Sequence, residues 1–331
     1  MASAAALLER LDASVASVSR DACDTLPAPP LPAAPIAAPP FSDAQLARNA
    51  ITSLIDEAEL TPKPALVDRR GSGAHRDLDL AIMRRSAHAL EPTFAALART
   101  ARRRGEPSAL LRAELAQIGR AGEQEMMHAT GGSNAHRGAI WIIGLLVAGA
   151  ALETSSYSST RSHLAGNPDH VDISRVCTLA AQIACFPDRF AASSDSHGER
   201  ARQRYQVGGA RREAQDGFPH ALDVGLPALH AARARQLDET TARIDALLAI
   251  MSTLDDTCLL HRAGLAGLHA GQRGARRVLD AGGSSTAAGR VALVALESDL
   301  LSLNASPGGA ADLLAATFFL DMLAHRDASR S

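Results

Sequence analysis

Two acidic patterns in the chain are spaced for chemistry. Asp255-Asp256-Thr257 sets two carboxylates beside a hydroxyl, and His75-x-Asp77-x-Asp79 spaces an imidazole and two more acids. Asp312 follows the turn Ser306-Pro307-Gly308-Gly309. Oxygen donors of this kind suit Mg²⁺, which keeps several waters and bridges to phosphate. Acids at a helix start also cap its N–H groups and answer its dipole, so each pattern alone is equally a helix signal. The opposite charge comes from Lys63, stiffened between Pro62 and Pro64, and from Arg69, Arg70 and Arg211. Guanidinium forks grip phosphate oxygens bidentately. Glu213 lies two residues beyond Arg211.

A third pattern is a loop. Thr130-Gly131-Gly132-Ser133-Asn134-Ala135-His136-Arg137-Gly138 runs straight into an apolar segment at 139–152. Read as the start of a buried helix, it presents free N–H groups with the positive end of a dipole behind them, a cradle for an anion. Gly131 and Gly132 permit close approach of backbone to ligand, and His136 and Arg137 add donors. The pattern is neither a P-loop nor a GxGxxG fingerprint, so neither mechanism transfers.

The elements that must hold these residues read as helices. The 331 residues are 46% hydrophobic but only 3% aromatic, which favours helices over sheets. Leu46, Ala47, Ala50, Ile51, Leu54, Ile55 and Ala58 form one stripe after a Ser42 or Asp43 cap. Prolines 62 and 64 end that helix. Helical spacing resumes from Leu78 to Ile118, then over 171–186, 234–254 and 286–303, and after Asp312. Polar segments fall between, at 61–79, 130–138, 208–219, 255–262 and 306–312. The expectation is an all-α domain of about ten helices, with a buried central helix at 139–152 and polar loops converging at one end.

Residues 1–40 read as an N-terminal extension with a Pro/Ala-rich linker, and 41–331 as the helical catalytic domain. Net charge is −2, with no basic excess for nucleic acid. The fourteen apolar residues at 139–152 are short for a membrane span. The four cysteines lack zinc spacing and fit a cytoplasmic protein, with Cys177 and Cys185 as small core residues.

Five segments together resemble one family, the triphosphoribosyl-dephospho-CoA synthases. TPKPALVDRRGSGAHRDLD (61–79) is similar to the family's TPKPGLVD…GAH.DMD, and ATGGSNAHRGAIWIIGLL (129–146) to its ATGGVNTHKGAIF.LGLL. GGARREAQDGFP (208–219), LLAIMSTLDDTCLLHRAG (247–264) and SPGGAADLLAATFFL (306–320) resemble its remaining motifs in the same order. The resemblance implies a transferase taking ATP and 3′-dephospho-CoA. In that reaction the ribose 2′-hydroxyl of dephospho-CoA attacks C1 of the ATP ribose and adenine leaves. The product, 2′-(5″-triphosphoribosyl)-3′-dephospho-CoA, is the precursor of the prosthetic group on an acyl carrier protein of malonate decarboxylase or citrate lyase. Ser133, Ala135, Arg137 and Gly71 stand closer to the malonate decarboxylase branch.

On this reading Asp255, Asp256 and Glu213 are the catalytic acids, one of them taking the proton of the attacking hydroxyl. Lys63, Arg69, His75, Gly131, Gly132, Asn134, His136, Arg137 and Arg211 bind substrate and phosphate. Asp77, Asp79, Asp255, Asp256 and Asp312 are the expected Mg²⁺ ligands, and a homodimer is left open. Cys258, Arg137 and Arg212 depart from the family's asparagine, lysine and glycine, but none removes a carboxylate. The competing readings are a Mg²⁺-dependent ADP-ribosyl-type glycohydrolase and a non-catalytic helical protein that binds a nucleotide or carrier.

Overall fold

A computed structural model describes residues 40–156, 171–189 and 197–325. The chain divides after Ile36, and every described element belongs to the second unit. The readings of the N-terminal extension, and of the polar segments 157–170 and 190–196, lie outside the described residues.

The elements are α1 (Asp43–Glu59), α2 (Leu80–Ala89), α3 (Glu91–Arg104), α4 (Ala109–Ala129), α5 (Arg137–Ser156), α6 (Ile173–Cys185), α7 (His197–Tyr205) and α8 (Gly209–Gln215). A π-helical turn (His220–Gly225) then runs into α9 (Leu226–Ala234), followed by α10 (Glu239–Thr253), α11 (Thr257–Asp280), α12 (Ala287–Ser302) and α13 (Gly308–Ala324). Among the described residues there is no strand, only an isolated bridge between Asp68 and Gly71. The expected all-α class holds.

Local chemistry sets the first boundary. Ser42 Oγ accepts from Gln45 N, and Gln45 Oε1 accepts from Ser42 N at 2.8 Å, a reciprocal cap for α1. The predicted stripe of α1 is buried from Leu46 to Ala58. Two helices, not one, form the spine. α5 is apolar on nearly all sides and packs on α1, α3, α6 and α13. α13 buries Ala310, Leu313, Leu314, Phe318, Phe319 and Leu320. A helix without a polar face has to sit inside the protein. Each fully buried Leu or Ile of this spine contributes about 1.5–3 kcal/mol. By length and composition α5 would also cross a membrane, yet most of it lies buried beneath other helices.

Three expectations need correction. The segment 255–262 is not a loop, because α11 begins at Thr257 and runs to Asp280. Its glycines disguise it in the sequence. A Cβ on Gly274 would run into Leu296, so this glycine lets α11 close on α12. The supposed loop 208–219 contains α8. Cys177 is buried as expected, whereas Cys185 is exposed at the end of α6.

Candidate active site

After α1 the chain folds back beneath the helix end. Lys63, expected to reach a phosphate, is 1% exposed and donates from Nζ to Glu57 Oε1 and to the Glu57 carbonyl, both at 2.5 Å. The stiff Pro-Lys-Pro backbone thus aims the ammonium inward, into a buried ion pair. Asp68 ties this segment together, accepting from Lys63 N at 2.9 Å and from Arg70 N at 2.7 Å. Arg69 and Arg70 face outward, Arg69 onto Glu59 and Arg70 onto Asp68 and Glu297.

His75 links this segment to α11 and to the turn before α13. Arg262 Nη2 lies 3.1 Å from Nδ1, and Ser306 Oγ lies 2.9 Å from Nε2. A guanidinium only donates, so Nδ1 is the acceptor and Nε2–H donates to the serine. Burial, with the Arg262 charge adding, pushes His75 down to about 4. It is neutral at pH 7.

The glycine loop differs from the expected cradle. Gly131 (φ 68) and Gly132 (φ 100) lie in the left-handed region, and their N–H groups donate back to His128 O and Met127 O. They close the C-terminus of α4, so these donors are taken by the protein itself. Asn134 Oδ1 accepts from Arg137 N at 3.2 Å, and Arg137 pairs with Glu123 at 3.1 Å. His136 turns inward instead. Its Nδ1 is 2.6 Å from Ser86 Oγ, while Nε2 is buried with no partner. Burial and the Lys63 charge bring it down to about 4. Whichever nitrogen carries the proton, a buried Nε2 without a partner is costly, so it is a place for a ligand atom.

Beside it lies Asp312. A Cβ on Gly138 would strike this carboxylate, so glycine there is what lets Asp312 reach the first turn of α5. Among the described residues no hydrogen bond reaches the Asp312 oxygens. Burial, then the charges of Glu57 and Asp256, lift its pKa well above the usual carboxylate range. Asp256 is more deeply buried, at 2% exposure against the half-buried Asp312, and fully engaged. Oδ1 accepts from Cys258 N at 2.7 Å and Leu259 N at 3.3 Å, and Oδ2 from Ala310 N at 2.9 Å. It caps α11 and clamps the start of α13; burial raises its pKa, and these donors counter only part of that rise. Burial and both aspartates hold the Cys258 thiol well above its usual range, so it is no nucleophile.

On α8, Glu213 is buried and accepts from His220 N and His220 Nδ1, each at 2.8 Å. The hydrogen bond from Glu213 raises His220, against burial, with Asp255 adding a smaller push. Asp255 is exposed and Arg211 points to solvent. Trp141 Nε1 of α5 donates to Ala210 O at 3.1 Å, and a Cβ on Gly209 would meet Thr257, so α8 packs beside the starts of α5 and α11.

All five polar segments therefore do meet, through His75–Ser306, Gly138–Asp312, Asp256–Ala310 and Gly209–Thr257. Of the expected metal set only Asp256 and Asp312 are shown to gather with them. Asp77 and Asp79 are exposed, and Asp79 caps α2 through Ile82 N. Among the described residues one group has metal-ligand spacing, His230, Asp321 and His325, and none of the expected carboxylates belongs to it. Glu57, Ser86, His220 and Arg262 are site residues that sequence reasoning missed. Only Glu57 carried a signal, an acid set on the buried stripe of α1.

The site thus sets an inert thiol beside the carboxylates Glu57, Asp256 and Asp312, which act on one another electrostatically. The class of the molecule, an all-helical transferase, follows from its fold and its relatives. The ATP:dephospho-CoA triphosphoribosyl transferase family matches residues 43–331, and the chain belongs to it. A probable 2-(5''-triphosphoribosyl)-3'-dephosphocoenzyme-A synthase of Pseudomonas aeruginosa strain UCBPP-PA14 is 56% identical over 278 residues, 84% of this chain and 90% of its own length. One of Azotobacter vinelandii strain DJ is 56% identical over 275 residues, 83% of this chain and 89% of its own. The 2-(5''-triphosphoribosyl)-3'-dephosphocoenzyme-A synthase of Klebsiella pneumoniae is 53% identical over 279 residues, 84% of this chain and 94% of its own. No solved structure matches the chain.

Proposed function

We propose that this chain joins the triphosphoribosyl group of MgATP to the ribose 2′-hydroxyl of 3′-dephospho-CoA, with release of adenine. The reaction takes place in the cytoplasm, and its product passes toward the acyl carrier protein of malonate decarboxylase. The observation that carries this reading is the convergence of the five family-like segments on Asp312, whose oxygens no protein donor occupies.

The chemistry follows from charge. Displacement at an anomeric carbon passes through an oxocarbenium-like state, and nearby carboxylates stabilise it. Glu57, Asp256 and Asp312 lie close enough to act on one another electrostatically. Asp312 combines open oxygens with a raised proton affinity, which suits it to take the proton of the attacking 2′-hydroxyl. That assignment moves the base from Asp255, Asp256 or Glu213 to Asp312. Asp256 instead positions two helix starts, and Glu213 fixes His220. His136 Nε2 offers a polar contact to the bound ribose.

Mg²⁺ enters as the counter-ion of ATP, neutralising phosphate charge and held mainly by phosphate oxygens and water. Four of the five acids expected to ligate it do not form a resident cage: Asp256 accepts from N–H donors on both oxygens, Asp79 caps α2, and Asp77 and Asp255 stand exposed, which leaves Asp312 alone with open oxygens.

The test uses the full chain with ATP, Mg²⁺ and dephospho-CoA, and mass spectrometry of the coupled product. The expected product carries the triphosphoribosyl group on dephospho-CoA; its absence under all metal conditions overturns the reading. Deleting the gene in its own host should abolish growth on malonate and spare growth on citrate. The reverse pattern assigns the product to citrate lyase.

A further inference from the structure

Arg112 is a buried guanidinium without a hydrogen bond. It sits on α4 and is 8% exposed, and its Nε has no partner. Its nearest acid, Asp188, stands 3.9 Å away and is already held at 2.8 Å by Arg120. The remaining contact is the face of Trp141, 4.9 Å from the guanidinium carbon. A charge buried this way is strongly unfavourable unless something accepts from it. Arg112, Arg120 and Trp141 line a cavity of about 140 Å³ between α3, α4 and α5, together with Glu123 and Asp188.

Glu123 pairs with Arg137 and Asp188 with Arg120, while Arg211 on α8 adds a further positive field at Arg112. Both acids of the lining are thus engaged by other arginines, and Arg112 is left without an acceptor for its Nε, with an aromatic face beside it. Trp141 also bonds to Ala210 at the start of α8, so this cavity adjoins the α5 and α8 ends that border the acidic site.

We propose that this cavity is an anion subsite in which Arg112, backed by Arg120, grips a phosphoanhydride group of one of the two nucleotide substrates. The expected phosphate grip thereby moves from the glycine loop to the outer flank of α5. The proposal rests on the two-nucleotide reading above. The triphosphate of ATP and the diphosphate of dephospho-CoA share the chemistry that Arg112 would bind.

Trp141 is the only tryptophan of the chain, so its emission reports on this cavity alone. The full-length protein is titrated with inorganic pyrophosphate, ATP and dephospho-CoA while tryptophan fluorescence is followed. Pyrophosphate and one nucleotide should shift the emission saturably, and Arg112→Met should weaken that response about tenfold or more. The same variant should raise KM about tenfold for the nucleotide whose phosphates sit there and leave the other unchanged, which names the source. Arg112→Met removes an unpaired buried charge, so its melting temperature should hold or rise; Arg112→Lys, with intermediate binding, serves if Met does not fold. A wild-type emission that none of the ligands moves, with adenine release intact, overturns the subsite. Equal binding in wild type and Arg112→Met does the same. An Arg112-dependent shift in a protein that releases no adenine keeps the subsite and sinks the transferase reading.

Discussion

The start of α5 and the region around α8 each hold a histidine, and the two diverge. His136 has a serine on one side, an unmet nitrogen on the other and the Lys63 charge close by, and burial brings it down to about 4. His220 is half-buried but directly bonded to Glu213, and it rises. At His220 a bonded carboxylate outweighs burial, whereas at His136 burial and the Lys63 charge act in the same direction. Bonding also separates Asp312 from Asp256. Burial raises both, yet Asp256 answers the N–H groups of two helices and Asp312 answers none. One acid holds the site together and the other is left for chemistry.

The comparison can be broken at each of its members. Asp312→Asn should lower the rate of adenine release about 10³-fold, within the range of a general base, while stability holds or rises as a crowded buried charge disappears. Steady-state kinetics beside a melting curve checks this, and a rate within threefold of wild type would remove Asp312 from the reaction. Asp256→Ala should act the other way round, costing about 3 kcal/mol of stability by orphaning buried N–H groups at two helix starts. Urea unfolding measures it, and a loss of activity without loss of stability would mark Asp256 as a participant in the chemistry.

The histidines predict opposite pH behaviour. His136 is depressed on folding, so the native state resists its protonation; stability present above about 6.5 falls as pH drops toward about 4. At about 1.4 kcal/mol per unit, His136→Asn should remove up to about 3 kcal/mol of that acid loss, with His75 left in place as an internal reference. Unfolding curves across that window test the sign. His220 is raised, so its pair with Glu213 contributes below the unfolded value and is lost as pH rises through the raised one. Glu213→Gln should therefore cost more stability at pH 6 than at pH 8.5; an equal cost at both would mean that the pair holds no extra charge.

How much of this was legible in the sequence depends on the kind of signal. Periodicity announced α1, α5 and α13, and the five polar segments do converge. α11 stayed hidden because Gly264, Gly267, Gly271 and Gly274 look like loop residues; in the fold Gly264 (φ 63) kinks the helix, while Gly271 and Gly274 permit close packing against Leu259 and Leu296. Side-chain direction was the weakest inference. Lys63 looks like a surface cation and is the partner of Glu57; the Gly131–Gly132 pair looks like a phosphate cradle and is the end of α4. Arg112 gave no warning at all, since only the packed structure reveals a guanidinium with nothing to bond.

The most direct measurement is the dependence of adenine release on the acceptor. Purified full-length chain is given MgATP with and without dephospho-CoA, and free adenine is counted against coupled product. The account predicts one adenine for each dephospho-CoA consumed and almost none without it. Adenine released at the same rate in the absence of dephospho-CoA would contradict it and make the chain a glycohydrolase.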